Sequence, residues 1–511
     1  MIRRSLFVLS PFVSAAALLA ACNSVTGVDD LGTSGGVAGG GGGTGNSVTG
    51  TGTGNPLAVM VPAKGVQISE IAIYQAVKRS LMGGTPPTSG VTVPIVAGRP
   101  ALLRVFVKVD PAAYAHSPVT ARLHLGSGAP IDVVGVVTDS DDAQLASTIN
   151  FEIPGDRMVV GQTYRVELQQ PIEHASPPAS SIVGWPATGS EALDVQSDGM
   201  QLKVKLIPVK YGADGSGRLP DTSQQQIEGY KKAFFSTYPA ANVEITVRAQ
   251  PISWTKQIGA FGNGWGEILD TVAGLRQSEN APADVYYFGI FNPSQSFEQF
   301  CSQGCVAGLG MVGGPQDSYT RAAVGLGYTG DMAFSTAVHE IGHTQGRNHA
   351  PCGGADGVDS KFPYKDGSIG VWGYDLLTQR LYAPKEGKDL MGYCDPYWIS
   401  DYTFKAIFDR MKVVNKADLV IPDGLKDLDW ERARVDEHGQ LTWLSPVHME
   451  RPPMGQPTPV TEQRAGSATT VEGQFFPYDH LPGGVLLWPK ANAPIKGIKV
   501  ILDGKPASLS R

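Results

Sequence analysis

The chain is sparing with charge, histidine and cysteine, and it has no long apolar run. Only 17% of its 511 residues are charged and the formal net charge is −7. That balance offers no basic surface, so nothing points to nucleic acid or an anionic membrane face as a partner. The apolar stretch Leu6 to Leu19 is too short to span a bilayer. No D-x-D-x-D-G loop of the kind that cages calcium is present. With nine histidines and five cysteines in the whole chain, a place where either residue gathers is informative. Glycine runs the other way, with 63 residues, part of them crowded into one stretch. The hydrophobic fraction of 42% is that of a globular protein, and the length allows two to four domains.

The histidines gather in His339-Glu340-Ile341-Gly342-His343-Thr344-Gln345-Gly346-Arg347-Asn348-His349. On a helix, His339 and His343 are one turn apart and face the same way. Two neutral imidazoles so placed can hold one zinc ion at about 2.0–2.1 Å. Glu340 can lean toward a water on that ion. Gly346 accepts the left-handed conformation that ends a helix, and the turn brings His349 back as a third ligand. Three protein ligands leave a fourth position for water, which distinguishes a catalytic zinc from a structural one. Chance would give the five fixed residues on the order of once in 10⁵ chains of this composition.

The stretch resembles the zinc-binding signature H-E-x-x-H-x-x-G-x-x-H of the metzincin endopeptidases. That resemblance implies a downstream Met-turn, and Asp389-Leu390-Met391-Gly392-Tyr393 fits it. By the same resemblance Met391 forms an apolar floor under the ligands, and Tyr393 reaches the metal or the oxyanion. The resemblance spans roughly residues 200–415. Within it the segment Val306 to Gly314, apolar and glycine-rich, stands where metzincins carry an edge strand that pairs with substrate backbone. A plain structural loop is the alternative for that segment.

Residues 1–21 read as an export signal, with Arg3 and Arg4 ahead of the apolar run. The run ends Leu19-Ala20-Ala21-Cys22, which resembles a bacterial lipobox with Cys22 as the lipidated residue. Residues 22–56 are a glycine-rich tether with almost no apolar surface to bury. A stretch of that length reaches about 30 Å, enough to lift a folded body off a membrane. Together these predict a lipid-anchored protein of the bacterial cell envelope.

Residues 57–192 alternate in short apolar runs separated by turns, for example Leu102 to Val109 and Tyr164 to Leu168, and suggest an immunoglobulin-like β-sandwich. Residues 200–415 alternate strands and helices. Strands are expected at Leu202–Val209, Val243–Val247, Asp284–Ile290 and Ala323–Gly327. Helices are expected from Asp221 or Thr222, as the cap, to Tyr238, over Trp265–Gln277, and from Ser400 or Asp401. That order predicts a mixed sheet with helices, and it resembles the α/β catalytic domain of metzincins with its zinc helix. Residues 416–511 read as a small β module, part of it extended linker because proline is frequent. The fold class is therefore α+β and multidomain. His116, His124, His174, His438, His448 and His480 are scattered and receive no role.

Setting Cys22 aside leaves Cys301, Cys305, Cys352 and Cys394. An even number in an exported chain predicts a pair of disulfides. Of the three pairings open to four cysteines, Cys301–Cys305 with Cys352–Cys394 is favoured. The second bridge would tie the segment after His349 to the segment after Met391. A second zinc site built from these cysteines fits an oxidising compartment poorly. The insertion over residues 350–388 could line the cleft. Its acidic turn, Gly353 to Asp359, makes calcium a secondary expectation beside zinc.

The expected function is zinc-dependent hydrolysis of peptide bonds in extracellular proteins or glycoproteins, with Glu340 as general base and Tyr393 at the oxyanion. A monomer is expected, with a polypeptide or glycoprotein as substrate and the membrane met only through the lipid. The alternatives are an inactive surface adhesion protein that keeps the fold, and hydrolysis of a non-peptide amide. A β-sandwich ahead of such a domain loosely resembles the StcE-type mucin-degrading proteases, which would imply glycoprotein substrates.

Overall fold

A computed structural model describes residues 59–174, 181–196, 200–415, 428–449, 452–491 and 493–511. The expected signal, Cys22 and the whole of the tether lie outside the described residues, as does the start of the C-terminal module. Among the described residues no helix is long and apolar enough to cross a membrane.

The N-terminal part is built of two antiparallel sheets. One runs through Met60–Pro62, Thr163–Pro171, Val119–Leu125 and Ile131–Gly135. The other is centred on Val66–Tyr74, paired with Ala76–Gly83 and Ala101–Val109. Strict alternation sends Val119, Ala121, Leu123 and Leu125 inward, where they meet Leu103, Val105 and Val107 of the facing sheet. Each large apolar side chain buried this way contributes roughly 1.5–3 kcal/mol.

The second sheet contains a surprise. Its outer strands, Gly373–Tyr374 and Leu381–Tyr382, come from the insertion between His349 and Met391. That part of the insertion therefore does not line the cleft but extends the N-terminal sheet. Tyr374 fills a small apolar cluster with Tyr74, Leu102 and Phe106. The buried Arg99 reaches the other way and donates to the carbonyls of Phe235 at 2.6 Å and Ala240 at 2.8 Å. Few local signals betray such a junction, because a two-residue strand has no periodicity to read.

The central part has the mixed sheet expected of it. Its strand order is Asn242–Val247, Gln201–Tyr211, Val285–Phe291, Ala322–Leu326 and Gly308–Leu309. The first four run parallel and the last is antiparallel. Ala322–Leu326 is buried at every residue, as a parallel strand covered on both faces must be. Helix α1 (Gln224–Thr237) is capped by the Ser223 hydroxyl, which accepts from Gln226 N–H. Neither Asp221 nor Thr222 is the cap. Asp221 instead accepts from Ser223 N–H, two residues ahead of the cap. Helix α2 (Trp265–Ser278) packs on one face of the sheet. A short helix α3 (Phe297–Phe300) leads into the Cys301–Cys305 bridge. Helix α4 (Asp331–Thr344) and α1 cover the opposite face. Helix α5 (Asp401–Asn415) follows Met391 and is capped by Ser400, whose hydroxyl accepts from Thr403 N–H at 3.0 Å.

The described C-terminal residues form one seven-stranded antiparallel sheet, in the order Leu441–Met449, Leu428–Val435, Gly484–Pro489, Ser467–Pro477, Gln456–Arg464, Gly497–Leu502 and Lys505–Ser510. Pro446, Pro457, Pro459, Pro477, Pro489 and Pro506 sit within its strands, while Pro452, Pro453, Pro482 and Pro494 lie between them. The sheet is docked on the central part. Trp430, Val447, Phe476, Tyr478 and Leu487 share one apolar core with Trp265, Ile268 and Val272 of α2.

At that junction lies Asp270 of α2. Burial pushes its carboxyl up to about 7, with Arg434 and Arg432 opposing. The folded chain thus holds a proton that the unfolded chain releases from about pH 4 upward. Stability from this group is present at low pH and is lost as pH rises toward 7. The Asp270→Asn variant should therefore show a flatter dependence of Tm on pH between about 5 and 8 than wild type. Equal slopes for the two proteins would show that Asp270 is not buried in protonated form.

Candidate metal centre

Helix α4 ends in a way that its sequence dictates. Gly346 takes φ +79°, which glycine adopts without the penalty of a Cβ. Arg347 N–H then donates to the Gly342 carbonyl at 3.1 Å, and Gly346 N–H to that of His343 at 2.7 Å. These are the two bonds of a Schellman turn. The turn swings the chain so that His349 faces His339 and His343. Their ring centroids lie 5.3 and 4.7 Å from that of His349.

All three imidazoles are buried. Each is oriented from behind by a backbone carbonyl. His339 Nδ1 lies 2.7 Å from Leu390 O, His343 Nδ1 lies 2.7 Å from Arg347 O, and His349 Nδ1 meets Asp356 O. A carbonyl only accepts, so each Nδ1 carries the hydrogen and each Nε2 presents a lone pair. This is the tautomer and the outer support that metal-ligating histidines need. Burial holds His349 down to about 4 and His339 well below its ordinary value, each also disfavoured by a neighbouring imidazole. Neutral rings are what a metal requires.

The fit to a metal ion can be tested on separations. Ligands about 2.0–2.1 Å from a tetrahedral centre stand roughly 3.3 Å apart. His339 Nε2 and His343 Nε2 are 3.1 Å apart. Three histidines and one carboxylate, Asp479, place their ligand atoms within 4.8 Å of one another. Among the described residues this is the group of potential ligands that converges, and its donor set suits zinc. The acidic turn proposed for calcium is otherwise engaged. Asp356 supports His349 through its carbonyl, and the Asp359 carboxylate accepts from Tyr402 Oη and Lys361 N–H.

Below the histidines, Met391 is buried against α4 at Gly342, where an added Cβ would stand 2.4 Å from Met391 Sδ. Asp389 holds the turn, accepting from Met391 N–H and Ser400 N–H, both at 2.9 Å. Tyr393 Oη lies 3.0 Å from His349 Nε2. The Cys352–Cys394 bridge closes over this arrangement, and Cys301 pairs with Cys305, the pairing favoured from the sequence.

Glu340 is buried, and its Oε2 makes no directed hydrogen bond. Burial and the nearby Asp479 carboxylate push its pKa well above the ordinary range. Glycines make room for it. A Cβ on Gly308 would stand 2.4 Å from Glu340 Oε1, and one on Gly310 would stand 3.3 Å from Oε2. The glycine-rich run Val306 to Gly314 is thus the wall beside the carboxylate. Only Gly308–Leu309 of it is strand, outermost in the mixed sheet.

Two functional neighbours escaped the sequence reading. Asp479 and His480 lie in the loop between Ser467–Pro477 and Gly484–Pro489 of the C-terminal sheet. The Asp479 side chain is fully buried, with Oδ2 3.0 Å from His343 Nε2 and 2.8 Å from His480 Nδ1. His480, given no role from the sequence, therefore stands at the site. A single Asp-His pair in a hairpin far along the chain gives no local signal of this, because the contact exists only once the C-terminal sheet has docked.

Residues 311–393 match the family model of peptidase M66. The matched segment holds all three histidines, Glu340, Met391 and Tyr393 but not Asp479. No curated protein matches the chain significantly. Among solved structures, one described as "Structure of a chaperone-substrate complex" aligns at 14% identity with a TM-score of 0.23, covering 52% of this chain and 43% of that one. Metalloproteinase-II from Bacteroides fragilis aligns at 13% identity with a TM-score of 0.24, covering 60% of this chain and 82% of that one. This chain thus spans less than half of the first of these, and neither alignment is close enough to carry an argument. The matched segment thus contains the three histidines of the cluster.

Proposed function

We propose that this chain is a zinc-dependent endopeptidase of the metzincin class, with His339, His343 and His349 as ligands and Glu340 as general base. The observation that carries the reading is the convergence of three Nε2 atoms whose Nδ1 partners are all backbone carbonyls, inside a segment that matches a peptidase family. Zinc, when bound, would polarise the scissile carbonyl and acidify the attacking water. Glu340 takes the proton from that water and passes it to the leaving amine nitrogen. The Tyr393 hydroxyl donates toward the oxyanion. The Met391 side chain keeps the floor of the site apolar.

Around this centre we place an immunoglobulin-like domain over residues 57–192, a catalytic domain over 200–415 and a β module over 416–511. Lipidation at Cys22 and a tether over 22–56 would hold the protein at the bacterial cell envelope as a monomer. Extracellular proteins or glycoproteins are the proposed substrates.

The test is hydrolysis of casein and mucin by the purified full chain carrying Asp479→Ala, which removes the carboxylate beside His343. Activity should fall to background with a chelator and return when zinc is restored. Undiminished cleavage after the metal content has dropped to zero would end the proposal.

A further inference from the structure

Three ligands suffice for a catalytic zinc because the fourth position must admit water and substrate. Here a fourth donor stands beside the three. Asp479 brings a buried carboxylate oxygen to 3.0 Å from His343 Nε2, so the donors form a closed set of four. The same loop also covers the substrate side. Tyr478 bridges to Met311 in antiparallel fashion, and Asp479 and Gly310 face each other N–H to acceptor at 3.4 Å in both directions. Residues 478–479 thus run along the free side of the edge segment, as an extended peptide crossing the metal would.

The loop has a seat made for it. A Cβ at Gly266 of α2 would stand 2.6 Å from Tyr478 Oη, and one at Gly262 would stand 2.8 Å from Leu481 Cδ2. Tyr478 Oη also donates to Asp270 at 3.4 Å. Glycines at both contacts leave room for both side chains. The loop is closed on itself by Tyr478 N–H donating to the Gly483 carbonyl at 3.2 Å.

We propose that the tip of this hairpin, residues 478–483, is a built-in plug: Asp479 serves as a fourth zinc ligand while Tyr478 and Asp479 occupy the substrate's place on the edge segment. The chain in this conformation is self-inhibited, and catalysis requires the tip to be cut or displaced. This rests on the zinc peptidase reading, which places substrate along Gly308 to Met311. The plug accounts for the closed donor set, which three histidines alone do not.

The experiment uses the full chain loaded with zinc or cobalt, as wild type, Asp479→Ala and Asp479→Asn. It measures the affinity of a small hydroxamate by calorimetry, the zinc dissociation constant, and the visible spectrum of the cobalt form. Both variants should bind the hydroxamate at least about tenfold more tightly than wild type. Both should hold zinc about tenfold less tightly, and both should show altered cobalt bands. The Asn variant keeps the shape of the side chain and stands in if the Ala variant does not fold. Equal hydroxamate affinity in wild type and the folded variant, with equal zinc affinity, would overturn the proposal. A variant that gains hydroxamate binding yet cuts no protein would leave the plug standing and remove the peptidase reading instead.

Discussion

Replacing Glu340 with glutamine should reduce turnover by on the order of 10²–10⁴ while zinc content stays at the wild-type level. The amide fills the same volume between Gly308 and Gly310, where a Cβ would already collide with Glu340. Packing is therefore preserved and only the ability to carry a proton is lost. The metal is held by His339, His343 and His349, each oriented from behind by a backbone carbonyl that Glu340 does not touch. The comparison is made in the chain freed of its plug by Asp479→Ala, by kcat and by metal analysis of the same preparations. A glutamine variant that cuts casein at the parental rate would remove Glu340 from the mechanism.

The second large effect belongs to the Cys352–Cys394 bridge. It closes a loop across a sequence separation of 42. Constraining a loop of that length in the unfolded chain stabilises by about 4 kcal/mol in the chain-entropy account. The bridge also ties the residues after His349 to the residues after Met391. Gly353 and Gly392, beside the two cysteines, are already crowded: a Cβ at Gly353 would stand 2.6 Å from the Tyr393 carbonyl, and one at Gly392 would stand 3.1 Å from Cys352 Cβ. Without the bridge, His349 and Tyr393 lose their fixed separation. The Cys352→Ser, Cys394→Ser double variant should melt well below wild type and bind zinc more weakly. Losing stability without losing zinc affinity would show that the bridge serves the fold and not the metal site.

Much of the site was legible because its parts are close in sequence. His339, Glu340 and His343 share a helix turn, and Gly346 announces the turn that returns His349. Met391 and Tyr393 were reached through family resemblance, since no periodicity marks them. The mixed sheet was legible because Val285–Phe291 and Ala322–Leu326 are continuous apolar runs set between helical patterns. Asp479 was not legible. Its role depends on the docking of Trp430, Phe476 and Tyr478 against α2, a contact between segments some two hundred residues apart, for which a single sequence carries no signature. The strand Gly373–Tyr374 was missed for the related reason that its partner strand, at Ala76–Val77, lies some three hundred residues earlier.

That same short strand has a consequence for how the protein can be divided. The loop that leaves His349 passes through the N-terminal sheet before it returns to Met391, and Trp398 then donates back to the Ala76 carbonyl at 2.8 Å. The front unit is therefore a splint for the third histidine rather than an accessory. Excising residues 59–196 would strip Tyr374 of its neighbours and leave the span between His349 and Met391 without its outer anchor. A block that preserves the metal centre must therefore include the first sheet, and recombination that exchanged the front unit alone would break the site it was meant to redirect.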